Sequence, residues 1–130
     1  MENCIFCQIV AGKSPSYKVY EDKDFIAFLD IFPKTKGHTL VVPKQHLEWV
    51  WDLKNFGEYF EVVKKIEKGI EKSFNPHFVS LLTYGLDVSH AHVHIIPYYR
   101  AVSPTEAVAS KEELSKEQLA EIAEKIRKNL

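Results

Sequence analysis

His90-Ala91-His92-Val93-His94-Ile95-Ile96-Pro97 places three of the six histidines of this chain at alternate positions. Side chains along a β-strand alternate between two faces, so the three imidazoles would share one face and the apolar residues between them the other. A helix would scatter the same residues around its circumference, so the spacing predicts a strand. Pro97 has no N–H to give to a ladder, and we expect it to end or border the strand.

Three interpretations of this row of imidazoles follow from the residues alone. The first is an exposed polar face of an ordinary strand. The second is a hydrolase site in which two or three of the histidines hold a catalytic zinc ion. The third is a nucleophilic imidazole whose neighbours orient it and contact an anionic substrate. The rest of the chain has to decide between the last two.

Length and composition indicate a globular protein, since 45% of the 130 residues are hydrophobic and 27% are charged. We expect one domain over residues 1–130. The net charge of −1 argues against long nucleic acid as a partner. No apolar run approaches the ~20 residues of a membrane span, and MENCIFCQIVAGK does not resemble a signal peptide. We therefore expect a cytoplasmic protein with no membrane partner, in which Cys4 and Cys7 are reduced thiols or metal ligands.

The remaining patterns predict five strands, over residues 17–21, 24–31, 38–42, 78–84 and 90–97. Asp22-Lys23 is expected to join the first two as a hairpin. The fourth strand is apolar enough to be central in the sheet.

Two helices are predicted. The first begins with Asn55 and Glu58 at capping-box spacing and ends before Asn75-Pro76. The second begins with Ser115 and Gln118 at the same spacing, and its buried stripe is Leu119, Ile122, Ala123, Ile126 and Leu130. The expected fold class is therefore α+β, with a mainly antiparallel sheet of about five strands and two helices.

Three segments in order, CIFCQIVAG, KVYEDKDFIAFLDIFPKTKGHTLVVPKQH and GLDVSHAHVHIIP, resemble those of histidine-triad (HIT) proteins of the HINT-like nucleotide hydrolase and transferase branch. They lie between residues 4 and 97. The resemblance implies a HIT-like fold and a purine nucleotide or nucleotide conjugate as the partner. It also implies cleavage at the α-phosphate of nucleoside phosphoramidates or dinucleoside polyphosphates, through a nucleotidyl-histidine intermediate.

The same resemblance assigns roles to single residues. His92 is the nucleophile, and His94 donates a hydrogen bond to a phosphate oxygen. Phe28, Asp30 and Ile31 flank the nucleoside, with Asp30 accepting from the ribose hydroxyls. Plain core packing is the alternative interpretation of Phe28.

Cys4-x-x-Cys7 has the spacing of half a tetrahedral zinc site or of a redox pair. Related bacterial HIT proteins resemble the galactose-phosphate uridylyltransferase arrangement, which implies a structural zinc held by Cys4, Cys7, His46 and His90. His90 would then be structural rather than catalytic. His38 and His77 are expected at the surface or in turns.

Asp87 departs from the family pattern, since HINT-like proteins usually carry Ser or Thr there, in contact with the phosphate or the leaving group. A carboxylate would repel an anionic substrate unless it is protonated, paired or turned away. Two alternatives stay open: a zinc-dependent hydrolase that uses all three triad histidines as ligands, and a non-catalytic purine-nucleotide-binding protein. The resemblance also implies a homodimer, for which Trp49-Val50-Trp51 and the first helix offer apolar surface.

Overall fold

A computed structural model describes residues 3–130, so the first two residues of the expected 1–130 domain lie outside the described part. The elements in chain order are α1 (Ile5–Val10), β1 (Lys18–Glu21), β2 (Phe25–Leu29), β3 (Thr39–Pro43), a 3-10 turn (Val50–Asp52), α2 (Phe56–Phe74), β4 (Phe78–Leu82), β5 (Val93–Tyr98), α3 (Pro104–Ala109) and α4 (Lys116–Lys128). This is an α+β fold, as the sequence predicts.

The five strands form one antiparallel sheet in the order β1-β2-β3-β5-β4. The predicted hairpin joins β1 to β2, and its turn is closed by Asp22, whose Oδ1 accepts from the backbone N–H groups of Asp24 and Phe25 at 2.8 Å each. In the middle of the sheet, Leu40 of β3 stands opposite His94 of β5. This register brings the segment before β3 next to the histidine strand.

Both faces of the sheet are covered, and each face has its own apolar cluster. Alternate residues of β2 and β5, together with Ala91 just before β5, pack with α2 and α4 in the larger cluster; they include Phe25, Ala27, Leu29, Val93 and Ile95. Ile26 and Phe28 pack on the opposite face with Phe6 of α1. The period-two prediction is therefore confirmed: the residues between the histidines enter the larger core, and the imidazoles lie on the side of α1.

The two long helices end close to the predicted positions. The capping box at Ser115 and Gln118 is present at the start of α4, and Asn75 ends α2 in a left-handed conformation. Asn55 occupies the N-cap of α2, but its side chain makes no capping hydrogen bond, so that part of the prediction is wrong. Leu130 follows the end of α4 and is 38% exposed instead of completing the buried stripe.

Two features of the sheet also differ from expectation. β4 is an edge strand rather than a central one, with Leu81 51% exposed, because apolar side chains indicate covered faces but carry no information on lateral neighbours. The regular strand begins at Val93, so that His90 and His92 precede it, and Pro97 lies inside it. Pro97 is tolerated there beyond the last pair with β3, Thr39 with Ile95.

The six-residue helices α1 and α3 were not predicted, because six residues do not complete two turns and so show no clear helical period. α1 matters most for the site, since it covers the imidazole face of the sheet. No helix among residues 3–130 combines the length and the apolar character needed to cross a membrane.

Candidate active site

A cavity of about 450 Å³ lies on the α1 face of the sheet, at the histidine strand. This volume is in the range of pockets that hold small molecules. The lining residues come from α1, from β2 and the loop after it, from the segment before β5, and from β5 itself; they include Ile5, Phe6, Ile9, Phe28, Asp30, Ile31, Lys34, His38, Asp87, Val88, His92 and His94. A second groove of about 590 Å³ lies between β1 and α4, and its lining contains neither histidine nor cysteine.

His92 is held in one tautomer by the backbone. Its Nδ1 lies 2.8 Å from the carbonyl oxygen of His90, and because a carbonyl only accepts, Nδ1 must carry the proton and donate. In the neutral ring, Nε2 then keeps its lone pair. The ring is buried and packs edge-to-face with Phe6, with the two ring centroids 5.1 Å apart. Nε2 lies 3.7 Å from Oδ1 of Asp87. The geometry therefore presents an unprotonated nitrogen at the pocket.

His94 is oriented by a chain of hydrogen bonds that begins at the backbone of Lys34. The Lys34 N–H donates to Nδ1 of His38 at 3.0 Å, so the neutral ring of His38 carries its proton on Nε2. This Nε2 lies 2.9 Å from Nδ1 of His94 and donates to it. His94 must then carry its own proton on Nε2. The relay turns His94 into a hydrogen-bond donor at the pocket.

Burial keeps both rings of this relay neutral at physiological pH. Desolvation, with the nearby His94 and Lys34, lowers the pKa of His38 to about 3. Desolvation also lowers the pKa of His94 to about 4, with His92 adding to the effect. Desolvation raises the pKa of Asp30 above its usual value, although its hydrogen bond from Phe32 opposes the rise. A neutral relay can keep the single pattern of donors and acceptors described above.

His38 was expected at the surface or in a turn, and that expectation is wrong. The side chain is only 2% exposed and belongs to the site. The strand period gave a weak indication of this position, because His38 is two residues before Leu40 and should share its face of the sheet, which is the face covered by α1. The pairing with His94, however, depends on the register between β3 and β5. His77 is exposed in a bend, as expected.

The residues that the resemblance predicts to flank a nucleoside, Phe28, Asp30 and Ile31, all line the pocket. Phe28 is buried in β2 with its ring 5.5 Å from that of Phe6, so it has both the packing role and a place at the cavity. Asp30 follows β2; its Oδ1 accepts from the Phe32 N–H at 2.9 Å, and its Oδ2 lies 3.6 Å from Nε2 of His38. Ile31 is 56% exposed at the cavity.

Asp87 lies in the segment between β4 and β5, and its side chain is 62% exposed. Oδ1 accepts from the N–H of Val88 at 3.0 Å. The segment is anchored by Gly85, which has a φ of +83° and lies so close to Trp49 that a Cβ would be 2.6 Å from the ring. Asp87 therefore stands at the mouth of the pocket, beside the free nitrogen of His92.

Cys4, Cys7, His46 and His90 form a second cluster, with one potential ligand atom from each residue and all four atoms within 4.8 Å of one another. Nδ1 of His90 lies 3.3 Å from Sγ of Cys4 and 3.4 Å from Sγ of Cys7. Nδ1 of His46 lies 3.2 Å from Sγ of Cys7. Both cysteines are free thiols.

This donor set fits a tetrahedral zinc ion. Zn–S and Zn–N distances of about 2.3 and 2.1 Å imply ligand–ligand separations of roughly 3.4–3.8 Å, slightly longer than those found here. Nε2 of His90 lies 2.8 Å from the carbonyl oxygen of Pro43 and donates to it, which leaves Nδ1 unprotonated toward the cysteines. The ring of His90 is therefore turned to this cluster. Among residues 3–130, no group of potential ligands contains all three triad histidines, which argues against a hydrolase that binds zinc through the whole triad.

Comparison with known proteins shows which family this chain resembles in sequence. A family model described as HIT domain matches residues 11–101. The adenosine 5'-monophosphoramidase hnt1 of Schizosaccharomyces pombe is 39% identical over 98 residues, which are 73% of this chain and 74% of the yeast protein.

Solved structures agree with the fold. A Hit-like protein from Bartonella henselae, described as involved in cell-cycle regulation, superposes with a TM-score of 0.85 at 33% identity, covering 100% of this chain and 98% of that one. A zinc-bound histidine triad family protein from Mycobacterium smegmatis has a TM-score of 0.80 at 26% identity, covering 98% of this chain and 93% of that one.

Proposed function

Because this chain belongs to the histidine-triad (HIT) family, a family of nucleotide hydrolases, we propose that it cleaves nucleoside phosphate conjugates at the α-phosphate through a nucleotidyl-histidine intermediate. The substrates we propose are purine nucleoside phosphoramidates or dinucleoside polyphosphates. The activity that the yeast relative's name gives, adenosine 5'-monophosphoramidase, supports this class.

One observation carries the proposal. The hydrogen bond from Nδ1 of His92 to the carbonyl of His90 leaves Nε2 as the unprotonated atom beside the pocket. Nucleophilic attack requires such a lone pair, and a ring free to exchange tautomers would offer it only part of the time.

The reaction then has two displacements at phosphorus. In the first, the lone pair of Nε2 of His92 forms a bond to the α-phosphorus, and the bond from phosphorus to the leaving group breaks. The leaving group departs with that electron pair and takes up a proton from solvent. In the second, the oxygen of a water molecule forms a bond to the phosphorus and the water releases a proton to solvent, while the N–P bond breaks and its electron pair returns to Nε2. The products are the free leaving group and a nucleoside monophosphate.

His94 is proposed to stabilise the phosphoryl oxygens during both steps. The relay from His38 places the proton of His94 on Nε2, where it can donate to an oxygen whose negative charge grows in the transition state. Backbone N–H groups of the histidine strand would complete this hydrogen bonding. The nucleoside is proposed to lie along Phe28 and Ile31, with Asp30 accepting from its ribose hydroxyls and Asp87 beside the reacting phosphate.

We also propose that Cys4, Cys7, His46 and His90 hold a structural zinc ion. Zinc bound there would cross-link the chain and would not take part in the reaction. It would connect the start of α1 to His90, whose carbonyl oxygen accepts the hydrogen bond from Nδ1 of His92. The ion would bind both cysteines as thiolates and so would release their protons, whereas Nδ1 of His90 is already unprotonated.

Two copies of the chain are proposed to associate through Trp49-Val50-Trp51 and α2. Val50 is buried, whereas Trp51 is 69% exposed and stacks on Phe56 with ring centroids 6.0 Å apart. A second copy would remove this apolar surface from water. Light scattering after gel filtration should give twice the mass of one chain for the wild type and a lower mass for Trp51→Ser. A wild-type protein with the mass of one chain would contradict the dimer.

We further propose that residues 1–130 act as one domain in the cytoplasm, with a purine nucleotide or its conjugate as partner and without long nucleic acid or membrane. The net charge of −1 and the two free thiols support this setting.

The test is rapid-mixing hydrolysis of adenosine 5'-phosphoramidate conjugates that carry a chromophoric amine. The wild type should release the amine in a burst, and the mass of the quenched protein should rise by one adenylyl group on His92. His92→Ala should lose turnover and labelling while its circular dichroism and unfolding curve stay close to wild type. His77→Ala, which changes an exposed histidine outside the pocket, is the matched control.

Unchanged hydrolysis in His92→Ala would refute the proposed nucleophile. Binding of AMP by the wild type without any release of amine would instead identify a nucleotide-binding protein that lacks the chemistry.

A further inference from the structure

The pocket is lined by few charged side chains, and these differ in their hydrogen-bond partners. In the part of the chain that the structure describes, three lining side chains ordinarily carry a charge at neutral pH, namely Asp30, Lys34 and Asp87. Nζ of Lys34 donates to the carbonyl oxygen of Val108 at 2.5 Å. Asp30 accepts from the Phe32 N–H and faces the relay. With two carboxylates and one lysine, whose ammonium group is bound to a backbone carbonyl, the formal charges of these three side chains sum to −1.

Among residues 3–130, Asp87 is the carboxylate nearest the nucleophile, and no lysine or arginine pairs with it. In the part of the chain that the structure describes, the ionisable nitrogen that approaches its oxygens to within 4.0 Å is Nε2 of His92, and no lysine or arginine does so. The N–H of Val88 supplies a neutral hydrogen bond. The charge of Asp87 is therefore directed at the reacting centre and the mouth of the pocket.

The leaving group must come within range of this charge. Reacting atoms begin about 3–3.5 Å apart, and one bond separates the phosphorus from the leaving atom, which thus lies about 5 Å from Nε2. Since Oδ1 of Asp87 is 3.7 Å from the same nitrogen, the leaving atom is at most about 9 Å from Asp87 in any orientation. A charge two carbons beyond the leaving atom lies at most about 4 Å farther away, and salt screens exposed charges over about 10 Å at 0.1 M and over longer distances at lower ionic strength. The interaction with Asp87 should therefore be strongest at low salt.

We propose that Asp87 selects the leaving group by its charge, so that the chain favours conjugates whose departing amine bears a cationic group and discriminates against those with an anionic one. This inference rests on the proposed function and concerns the same site. The oxygens of the α-phosphate are common to all such substrates, so their repulsion by Asp87 cancels when two leaving groups are compared. What remains is the interaction between Asp87 and the charge of the departing group.

The experiment compares three phosphoramidates of AMP that share the P–N bond and differ in the end of the amine. Ethylenediamine gives a cationic end, n-propylamine a neutral end and β-alanine an anionic end. For each enzyme, the ratio of kcat/KM for the cationic to the anionic substrate is measured. Differences in intrinsic reactivity cancel, because the same pair of substrates is compared between enzymes.

Asp87→Asn, which removes the charge and preserves the shape, should lower this ratio about 10-fold, as expected for one charge pair in a partly exposed site. Asp87→Lys should lower it further, and Asp87→Glu should keep it close to wild type. The wild-type ratio should also shrink as salt is raised from about 0.05 to 0.5 M, whereas that of Asp87→Asn should change little. Asp52→Asn, which removes an exposed carboxylate from the 3-10 turn outside the pocket, should leave the ratio as it is in the wild type.

The result that would overturn the inference is an equal ratio in the wild type and in Asp87→Asn while hydrolysis still depends on His92. In that case the nucleophile stands and only the selection by charge fails. If hydrolysis survives in His92→Ala, or no conjugate is cleaved, the proposed function fails and this inference fails with it.

Discussion

Replacing His38 by Phe should impair catalysis without touching the reacting atoms. The change removes the Nε2–H that donates to Nδ1 of His94 at 2.9 Å and the acceptor of the Lys34 N–H. His94 is then free to carry its proton on either nitrogen, and only one of the two tautomers presents a donor to the phosphate. Phe keeps an aromatic ring at this buried position but is larger than His, so the polar variant His38→Gln is needed to separate the lost hydrogen bonds from steric effects.

The size of the effect lies between two limits. Mixing of the two tautomers alone would halve the productive form, a loss of about 2-fold. Complete loss of one donor to the transition state costs about 10²–10³-fold in kcat. Because His94 would also lose its orientation, we expect kcat to fall about 10- to 100-fold with a smaller change in KM. His94 would keep a buried Nδ1 without its partner, which should destabilise the protein by about 1–3 kcal/mol.

Single-turnover hydrolysis of a phosphoramidate, measured well below the unfolding temperature, tests this prediction. His38→Gln offers an amide donor of similar reach and should recover part of the rate, whereas the exposed control His77→Ala should behave as wild type. Nitrogen-15 spectra of the imidazoles report the tautomer of His94 independently of activity. A His38→Phe protein that keeps kcat within 2-fold of wild type, with the tautomer of His94 unchanged, would refute the relay.

Three further predictions concern pH, metal and core. The pKa values of His38 and His94 are lowered from 6.5 to about 3 and about 4. Below pH 6.5 these histidines therefore bind protons in the unfolded chain but not in the native state, and the free energy of unfolding decreases as the pH is lowered. Urea titrations should show a loss of up to about 2 kcal/mol for each imidazole at pH 5 relative to pH 8, and equal stability at both values would contradict this sign. Added zinc should raise the melting temperature of the wild type, and at a thousand times Kd it should raise the free energy of unfolding by about 4 kcal/mol. Elemental analysis should find one zinc ion per chain in the wild type, and Cys7→Ser should show neither the stabilisation nor the ion. Equal zinc content in the two proteins would argue against the cluster as the ligand set. Ile66→Ala empties a fully buried position in α2 and should cost about 2–5 kcal/mol in urea unfolding, against less than about 0.5 kcal/mol for the exposed Lys64→Ala on the same helix.

Features of the fold that depend on near neighbours in the chain were predictable from the sequence. Alternation in the histidine stretch correctly separated the imidazole face from the core face, since the side-chain period of a strand is a local property. The Asp22 turn and the capping box at Ser115 and Gln118 are also local, because each is closed by hydrogen bonds over two or three residues. α1 and α3 were too short to be predicted in the same way.

The resemblance to a family, rather than spacing, supplied the identity of most site residues. Phe28, Asp30, Ile31, Asp87, His92 and His94 do line one pocket. Cys4 and Cys7 lie 39 or more residues before the histidines they approach, so no local pattern could have joined them. His38 was misplaced for the same reason.

The face that each side chain occupies along its own strand can thus be predicted from the amino-acid sequence, because it follows from the backbone geometry of successive residues. Which strands are neighbours, and in what register, depends on long-range packing, since those pairings join residues far apart in the chain. The register of β3 against β5 puts His38 against His94, and the packing of α1 brings Cys4 and Cys7 to His90. These two long-range contacts divide the three imidazoles between the cluster of Cys4, Cys7 and His46 and the pocket beside α1, because the partner of one ring nitrogen fixes what the other nitrogen offers.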